Sequence, residues 1–309
     1  MDKKSLNITI PDFFQKLDLS RLSVLLKRST SKFAQKIKYF IFNFSFIVAR
    51  FRYYFELWMK MTRNSFMVLL AQKRLFFLFL IGKLLRFILF GVFLIFLVKG
   101  SGSLAGYSVN ESIFFFLTYN LIDVISQFLY REVYRFRPLV VSGDLDLIMT
   151  KPYSTLFRVL LGGVDLIDFV TILPLVVLLI YFGSMLDPTF IELVYFLILT
   201  LNGLVIATAF HIAVLSLGII TYETDHVIWI YRDLTSLGRL PVDIYKQPLR
   251  AIITYLIPVG LMMSFPVRSL LGLMPFWGVA GSLVFGSLLI ILSIKFWNFS
   301  VLRYRSAGS

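Results

Sequence analysis

Residues 76–98 read FFLFLIGKLLRFILFGVFLIFLV, 23 residues broken only by Lys83 and Arg86. A helix of that length rises about 35 Å, enough to cross the roughly 30 Å hydrocarbon core of a bilayer. Runs at 112–130, 159–183, 190–220 and 275–299 meet the same requirement. The chain is 309 residues long, 58% hydrophobic, with 33 phenylalanines and only 16% charged residues. A soluble domain cannot hide that much apolar surface. The expected fold is therefore all-α, a polytopic membrane protein with a sixth crossing drawn from 226–272.

Charge distribution sets the expected orientation. The formal net charge is +14, and residues 1–63 carry thirteen Lys or Arg against four Asp or Glu. Further basic residues flank the apolar runs, at Lys73, Arg74, Arg131, Arg135, Arg137, Arg303 and Arg305. The connections at 101–112 and 184–189 contain no Lys or Arg. This is the positive-inside pattern, which predicts both termini and the 131–158 connection on the cytoplasmic side of the cytoplasmic membrane. The basic excess is thereby assigned to membrane lipids, with no nucleic-acid partner. Residues 1–45 form a basic cytoplasmic extension ahead of a transmembrane domain over 46–309. Within that domain, residues from about 46 to 74 interleave aromatics with Lys and Arg and are too short in apolar content to cross. They are expected to lie on the leaflet as an amphipathic interface helix.

Region 226–272 admits two readings. Arg232, Asp233, Arg239, Asp243, Lys246 and Arg250 suit a cytoplasmic loop over 226–250 followed by a span. Alternatively 226–242 crosses as a protein-enclosed helix with Arg232 and Asp233 paired. In that case 245–270 dips back as a hairpin broken at Pro258 and Pro266. Hydropathy alone favours the first.

The stretch VVSGDLDLIMTKPYS, residues 140–154, is the most punctuated segment in the middle of the chain. Gly143 and Pro152 bound about two turns of helix, Ser142 or Asp144 can cap its start, and Ser154 can cap the next helix. Asp144 and Asp146 complement the positive helix end, while Leu145, Ile148 and Met149 share an apolar face beside Leu147. Such a short, rigid helix under the membrane can fit a groove on a soluble partner.

At this point the chain resembles a known family. SGDLDLIMTKPYSTLFRVL is similar to the cytoplasmic loop of ABC-2 type permeases, LGRLPVDIYKQPLRAIITYLIPVGLMMSFPVRSLLG (237–272) to a second block, and VLRYRSAGS to the C-terminal ending. The resemblance runs from about residue 50 to the end. It implies an exporter's membrane subunit with six transmembrane helices, spans at about 76–98, 112–130, 159–183, 190–220, 226–242 and 275–299, and a re-entrant hairpin before the last. It also implies that Gly143, Asp144, Leu145, Asp146, Leu147, Ile148, Met149 and Pro152 form a coupling helix seated in a separate ABC ATPase. Two ATPase copies and a second permease, identical or paralogous, would complete the assembly, and nucleotide-driven closure would shift the second and third helices.

Chemistry outside that segment is sparse. No G-x-x-x-x-G-K-[ST] motif exists, so ATP and Mg would be bound by the partner, with no catalytic residue or cofactor in this chain. There is no cysteine, and His211 and His226 are the only histidines, so no metal site is expected. His211 is expected to bond a neighbouring helix. Gly143-Asp144 falls short of the intramembrane protease pattern GxGD, because Val141 stands where glycine is needed. Asp123, Asp165 and Asp168 lie within apolar runs, where ionisable groups are costly and usually paired or functional. They are expected either to pair with Lys83, Arg86 or Arg158, or to draw a cationic amphiphile along an export path. Buried acids also leave open a stand-alone proton-coupled secondary transporter.

Overall fold

The computed structural model describes residues 32–305, with side chains from residue 47 onward. Residues 1–31 of the expected extension and the final Ser306–Ser309 lie outside the described residues. The chain divides into two units, Met1–Lys60 and Met61–Ser309. In the first, the described part is the beginning of α1 (Lys32–Ala71), a continuous helix that starts well ahead of the expected position near 46. Ile47, Phe51, Phe55 and Met59, each four residues from the next, are exposed. Arg52 and Glu56 pair at 2.8 Å beside this stripe. One apolar stripe flanked by charge is the pattern of a helix lying in a membrane surface.

The second unit is a helix bundle. Among the described residues, five helices are long and apolar enough to cross a membrane: α2 (Lys73–Ser101), α3 (Val109–Leu129), then α7 (Leu166–Ser184), α8 (Phe190–Thr221) and α12 (Phe276–Leu302). Between α3 and α7 the chain makes a 3-10 turn (Arg131–Arg135) and three short helices, α4 (Phe136–Val141), α5 (Asp144–Met149) and α6 (Thr155–Leu161). Reciprocal capping boxes start two of the long helices, Ser108 with Glu111 for α3 and Thr189 with Glu192 for α8. Each satisfies two amide donors that hydrocarbon would leave orphaned. α3 is the central element, with Phe114, Phe115, Ile122 and Val124 almost fully buried. α8 and α12 pack closely through small residues. Asn202 donates to the Ser282 carbonyl at 2.9 Å, and a Cβ on Gly286 would overlap the Asn202 amide oxygen.

The third crossing departs from expectation. The run 159–183 is broken at Gly162–Asp165: α6 ends at Leu161, and α7 begins afresh with Asp165 as its N-cap, accepting from the Ile167 and Asp168 amides. Asp165 is therefore a helix cap, not a mid-span carboxylate on one face with Asp168. The glycines at the break have a packing reason as well, since a Cβ on Gly163 would sit 2.7 Å from the Glu132 carboxylate.

Contacts along α3 decide between the readings of 226–272. α9 (Asp225–Ser236) and two following 3-10 turns (Leu237–Arg239 and Val242–Ile244) carry Asp225, Arg232, Arg239 and Asp243 past α3 in antiparallel order. Asp225 lies 3.9 Å from Arg137 beyond the end of α3, Arg232 bonds Gln127 at 3.0 Å, Arg239 reaches the Tyr119 hydroxyl at 3.4 Å, and Asp243 accepts from Tyr107 at 2.8 Å, just ahead of the α3 start. The segment 225–243 thus runs the full length of α3 from one end of the bundle to the other, although the helix itself has only 12 residues. Asp233 is exposed, so the expected Arg232–Asp233 pairing is replaced by the Arg232–Gln127 bond.

The next segment returns on itself. Helix α10 (Leu249–Ala251) continues as a π-helical turn to Leu256, and a second limb, Gly260–Leu270, includes α11 (Phe265–Leu270). The two limbs bend by 77°. Arg250 near the start of the first and Arg268 near the end of the second both pair with Asp243, so the hairpin opens and closes at one end of the bundle. Its tip meets α8 at Gly203, where a Cβ would lie 2.6 Å from the Met262 carbonyl oxygen. Gly203 is about 20 Å along α8, so the hairpin is re-entrant to mid-depth and buried in protein, as non-spanning backbone there must be. Asp243→Asn keeps the shape while removing the charge that gathers both arginines. Amide exchange over 249–270 is expected to accelerate about tenfold, and unchanged exchange would mean that apolar contacts alone hold the hairpin.

Candidate functional site

The segment 130–157 forms a knob at the end of the bundle where α3 stops. Gly143 takes a left-handed conformation (φ 80°), which reverses the chain between α4 and α5 at little cost for a residue without Cβ. Ser142 donates to the Asp144 carboxylate at 2.7 Å and accepts from the Asp144 amide at 3.4 Å, but the cap position falls to Gly143, so neither of the two expected residues is the N-cap and the Asp144 carboxylate takes no helix amide. Thr150 closes the helix by donating to the Leu147 carbonyl at 3.0 Å. Pro152 follows, and Ser154 caps α6 through the Phe157 amide at 3.4 Å, as its position in the sequence suggests.

The face of α5 is divided in a way that spacing could not reveal. Leu145 is 1% exposed and sits in a core with Val133, Phe136, Val140 and Val159 from the knob and Leu215, Ile219, Ile228 and Trp297 from α8, α9 and α12. It is an anchor, not a residue available to a partner. The outward side carries Leu147 at 63% exposure, with Asp144 exposed beside it; Ile148 is half-buried, and Met149, one turn beyond Leu145 on the same face, is partly exposed at the helix end. Burying Leu145 contributes about 2 kcal/mol and makes α5 part of the bundle.

Residues that the sequence marks only as basic flanks brace this seat. Arg137 pairs with Glu223 at 3.1 Å, tying α4 to the turn between α8 and α9. Arg158 pairs with Glu132 at 2.6 Å, and Arg131 with Asp165 at 3.2 Å, joining the 3-10 turn to both sides of the break before α7. Tyr304 in the tail lies beside Asp146; burial first and the carboxylate second push its phenol up to about 12, so it is a neutral hydroxyl at physiological pH. Gly218 of α8 admits the Phe136 ring: a Cβ at this position would lie 3.3 Å from that ring and would overlap the Thr224 methyl group. Gly218→Ala is expected to cost about 1–3 kcal/mol and loosen the knob, read as a lower unfolding temperature and faster proteolysis within 136–154. The knob thus connects to α8, α9 and α12 as well as to the second and third crossings.

The intramembrane acids are all engaged. Lys83 of α2 bonds Asp168 of α7, the first of the expected pairings. Arg158, another expected partner, is taken by Glu132, and Asp165 by Arg131. Asp123 accepts from Gln127 at 2.6 Å. His211 bonds the Ala207 carbonyl of its own helix at 2.7 Å, not a neighbouring helix, and lies between the rings of Tyr130 and Tyr231. Among the described residues, no group of three or more metal-ligating side chains converges in the bundle.

Long apolar crossings, a re-entrant hairpin and a braced knob between the second and third crossings define a polytopic membrane permease. The family model described as ABC-2 family transporter protein matches residues 83–308, well over half of the chain, and takes in the knob and the hairpin. The chain belongs to the ABC-2 transporter family, as the membrane permease of an ABC transporter. No curated protein and no solved structure matches it.

Proposed function

We propose that this chain is the permease subunit of an ATP-driven exporter in the cytoplasmic membrane, with α5 as the helix that receives work from a separate ABC ATPase. The observation that carries the reading is the two-sided character of α5: one side is sunk in the permease core at Leu145, and the other offers Leu147 beside Asp144. An exposed apolar side chain with an adjacent acid suits a groove that is apolar at its floor and basic at its rim. Two ATPase copies would each seat one such helix, and a second permease, identical or paralogous, would complete the pathway. ATP and Mg belong to the ATPase, because this sequence has no P-loop. Closure of the ATPases would move each knob as a rigid body. Through Arg137 and the Leu145 core, that movement reaches α8, α9 and α12. Both termini would be cytoplasmic, with the basic N-terminal arm on anionic lipid.

The ion pairs that hold Asp165 and Asp168 weigh against a lone proton-coupled carrier that works through either of them. Affinity purification from the native membrane in mild detergent tests the proposal. Recovery of an ATPase with the permease is expected; transport by the permease alone in liposomes, driven by a pH gradient, would overturn it.

A further inference from the structure

The membrane-embedded face between α2, α3 and the 3-10 turn at Leu237–Arg239 holds more positive than negative charge. A pocket there is lined by Arg86, Asp123, Asn120, Tyr119 and Arg239, with walls from Phe87, Phe90 and Phe116. Arg232 stands behind it on Gln127. Among the described residues, Arg86, Arg232 and Arg239 have no carboxylate within ion-pair distance. Arg86 lies 5.7 Å from the centre of the Phe87 ring, Arg239 5.9 Å from that of Phe90 and 5.8 Å from that of Tyr119, and Arg232 5.7 Å from that of Trp229. The one acid in the pocket, Asp123, already accepts from Gln127. Three guanidinium groups therefore face one carboxylate.

The position makes this excess informative. Arg86 is about 20 Å along α2 from its Lys73 start, too deep for its side chain to reach either membrane surface easily. Cations at such depth are retained where a counter-charge or a water-filled path meets them. The other deep cation of α2, Lys83, has its counter-charge in Asp168, so the helix is neutralised at one position and left positive at the next turn. Aromatic walls beside guanidinium groups suit a ligand with a charged end and an apolar or flat body.

The pocket itself, at about 20 Å³, holds no more than a water or two, and Arg86 is exposed at its edge. We propose that Arg86 and Arg239, at the mouth of this pocket, bind the anionic head, phosphate or carboxylate, of an amphiphile, and that the exporter's cargo is of that class. This reverses the cationic cargo suggested by the acids in the sequence, because Asp165 and Asp168 are held in ion pairs and Asp123 alone stands against three arginines. As a statement about cargo it rests on the exporter reading; as a statement about binding it does not, and the test needs no ATPase.

Binding to the full-length permease in detergent is compared for dodecyl phosphate, dodecylphosphocholine and dodecyltrimethylammonium, which share one tail. Dodecyl phosphate is expected to bind at least about tenfold more tightly than the cation, and Arg86→Gln with Arg239→Gln to abolish that preference, while Arg86→Lys with Arg239→Lys retains most of it. Equal binding of the three head groups by the unaltered chain, or preference for the cation, overturns the proposal even should the glutamine variant fail to fold. A second arm adds phosphatidylglycerol. Failure to displace dodecyl phosphate supports a cargo site, and full displacement at equimolar lipid assigns the pocket to a resident phospholipid and overturns the cargo assignment. Loss of the exporter reading, by absence of an ATPase in the purified complex, would leave the head-group preference standing.

Discussion

Leu147→Asp is expected to weaken ATPase association by about 30-fold or more while leaving the unfolding temperature of the purified permease unchanged. Leu147 is 63% exposed on the outer side of α5, so replacing it opens no cavity in the bundle. A central apolar residue in a docking groove typically accounts for about 2–4 kcal/mol of binding, and a buried carboxylate in its place adds a desolvation cost. Leu145→Ala, two residues away, is expected to do the reverse. It removes a side chain packed against Phe136, Leu215 and Trp297 and should cost about 2–5 kcal/mol of stability. The two variants separate docking from seating. ATPase recovery at fixed concentration and thermal unfolding in the same detergent measure both, and a Leu147→Asp protein that unfolds early would show that the outward side is also structural.

Breaking the Lys83–Asp168 pair is expected to be the most damaging single change inside the membrane. Both side chains are almost fully enclosed between α2 and α7. Lys83→Met strands the carboxylate of Asp168 and should cost about 3–5 kcal/mol, and Asp168→Leu should cost a comparable amount by stranding the ammonium. The double variant Lys83→Met with Asp168→Leu removes both charges and should recover most of the loss, because an apolar pair suits that environment at least as well as an ionic one. Chemical unfolding of the four proteins in micelles closes the cycle. Additive single effects would show that the two groups act independently and that the pair is not what joins α2 to α7.

The parts of this fold legible in the sequence were those dictated by length and local chemistry. An apolar run such as 76–98 has few alternatives to a crossing helix, and Gly143, Pro152 and Ser154 mark the ends of α5 and α6 by conformational rules that act within a few residues. The break in the third crossing was also written locally, as Gly162-Gly163 followed by a capping Asp165, but a hydropathy window averages over it. What could not be read was which side of a short amphipathic helix faces its own bundle. Leu145 and Leu147 have the same hydrophobicity, and only the arrival of α8 and α12 at one of them distinguishes anchor from contact. The same holds for Asp243. Its partners Tyr107, Arg250 and Arg268 come from three separate segments, and that convergence settles the course of 225–270 where residue-by-residue polarity suggested a loop. Charges deep in the bundle behave alike: their sequence positions show that they need partners, and only packing shows that Lys83 has one and Arg86 does not.

The role of α5 can be tested at a single atom, since the chain has no cysteine of its own. A Leu147→Cys variant, treated in native membranes with a short cross-linker reactive to a thiol at one end and photoactivated at the other, is predicted to cross-link to an ATPase subunit and to be protected from impermeant thiol reagents added outside intact cells. Labelling of that position from outside, with no ATPase adduct formed in membranes that contain the whole complex, would contradict the account.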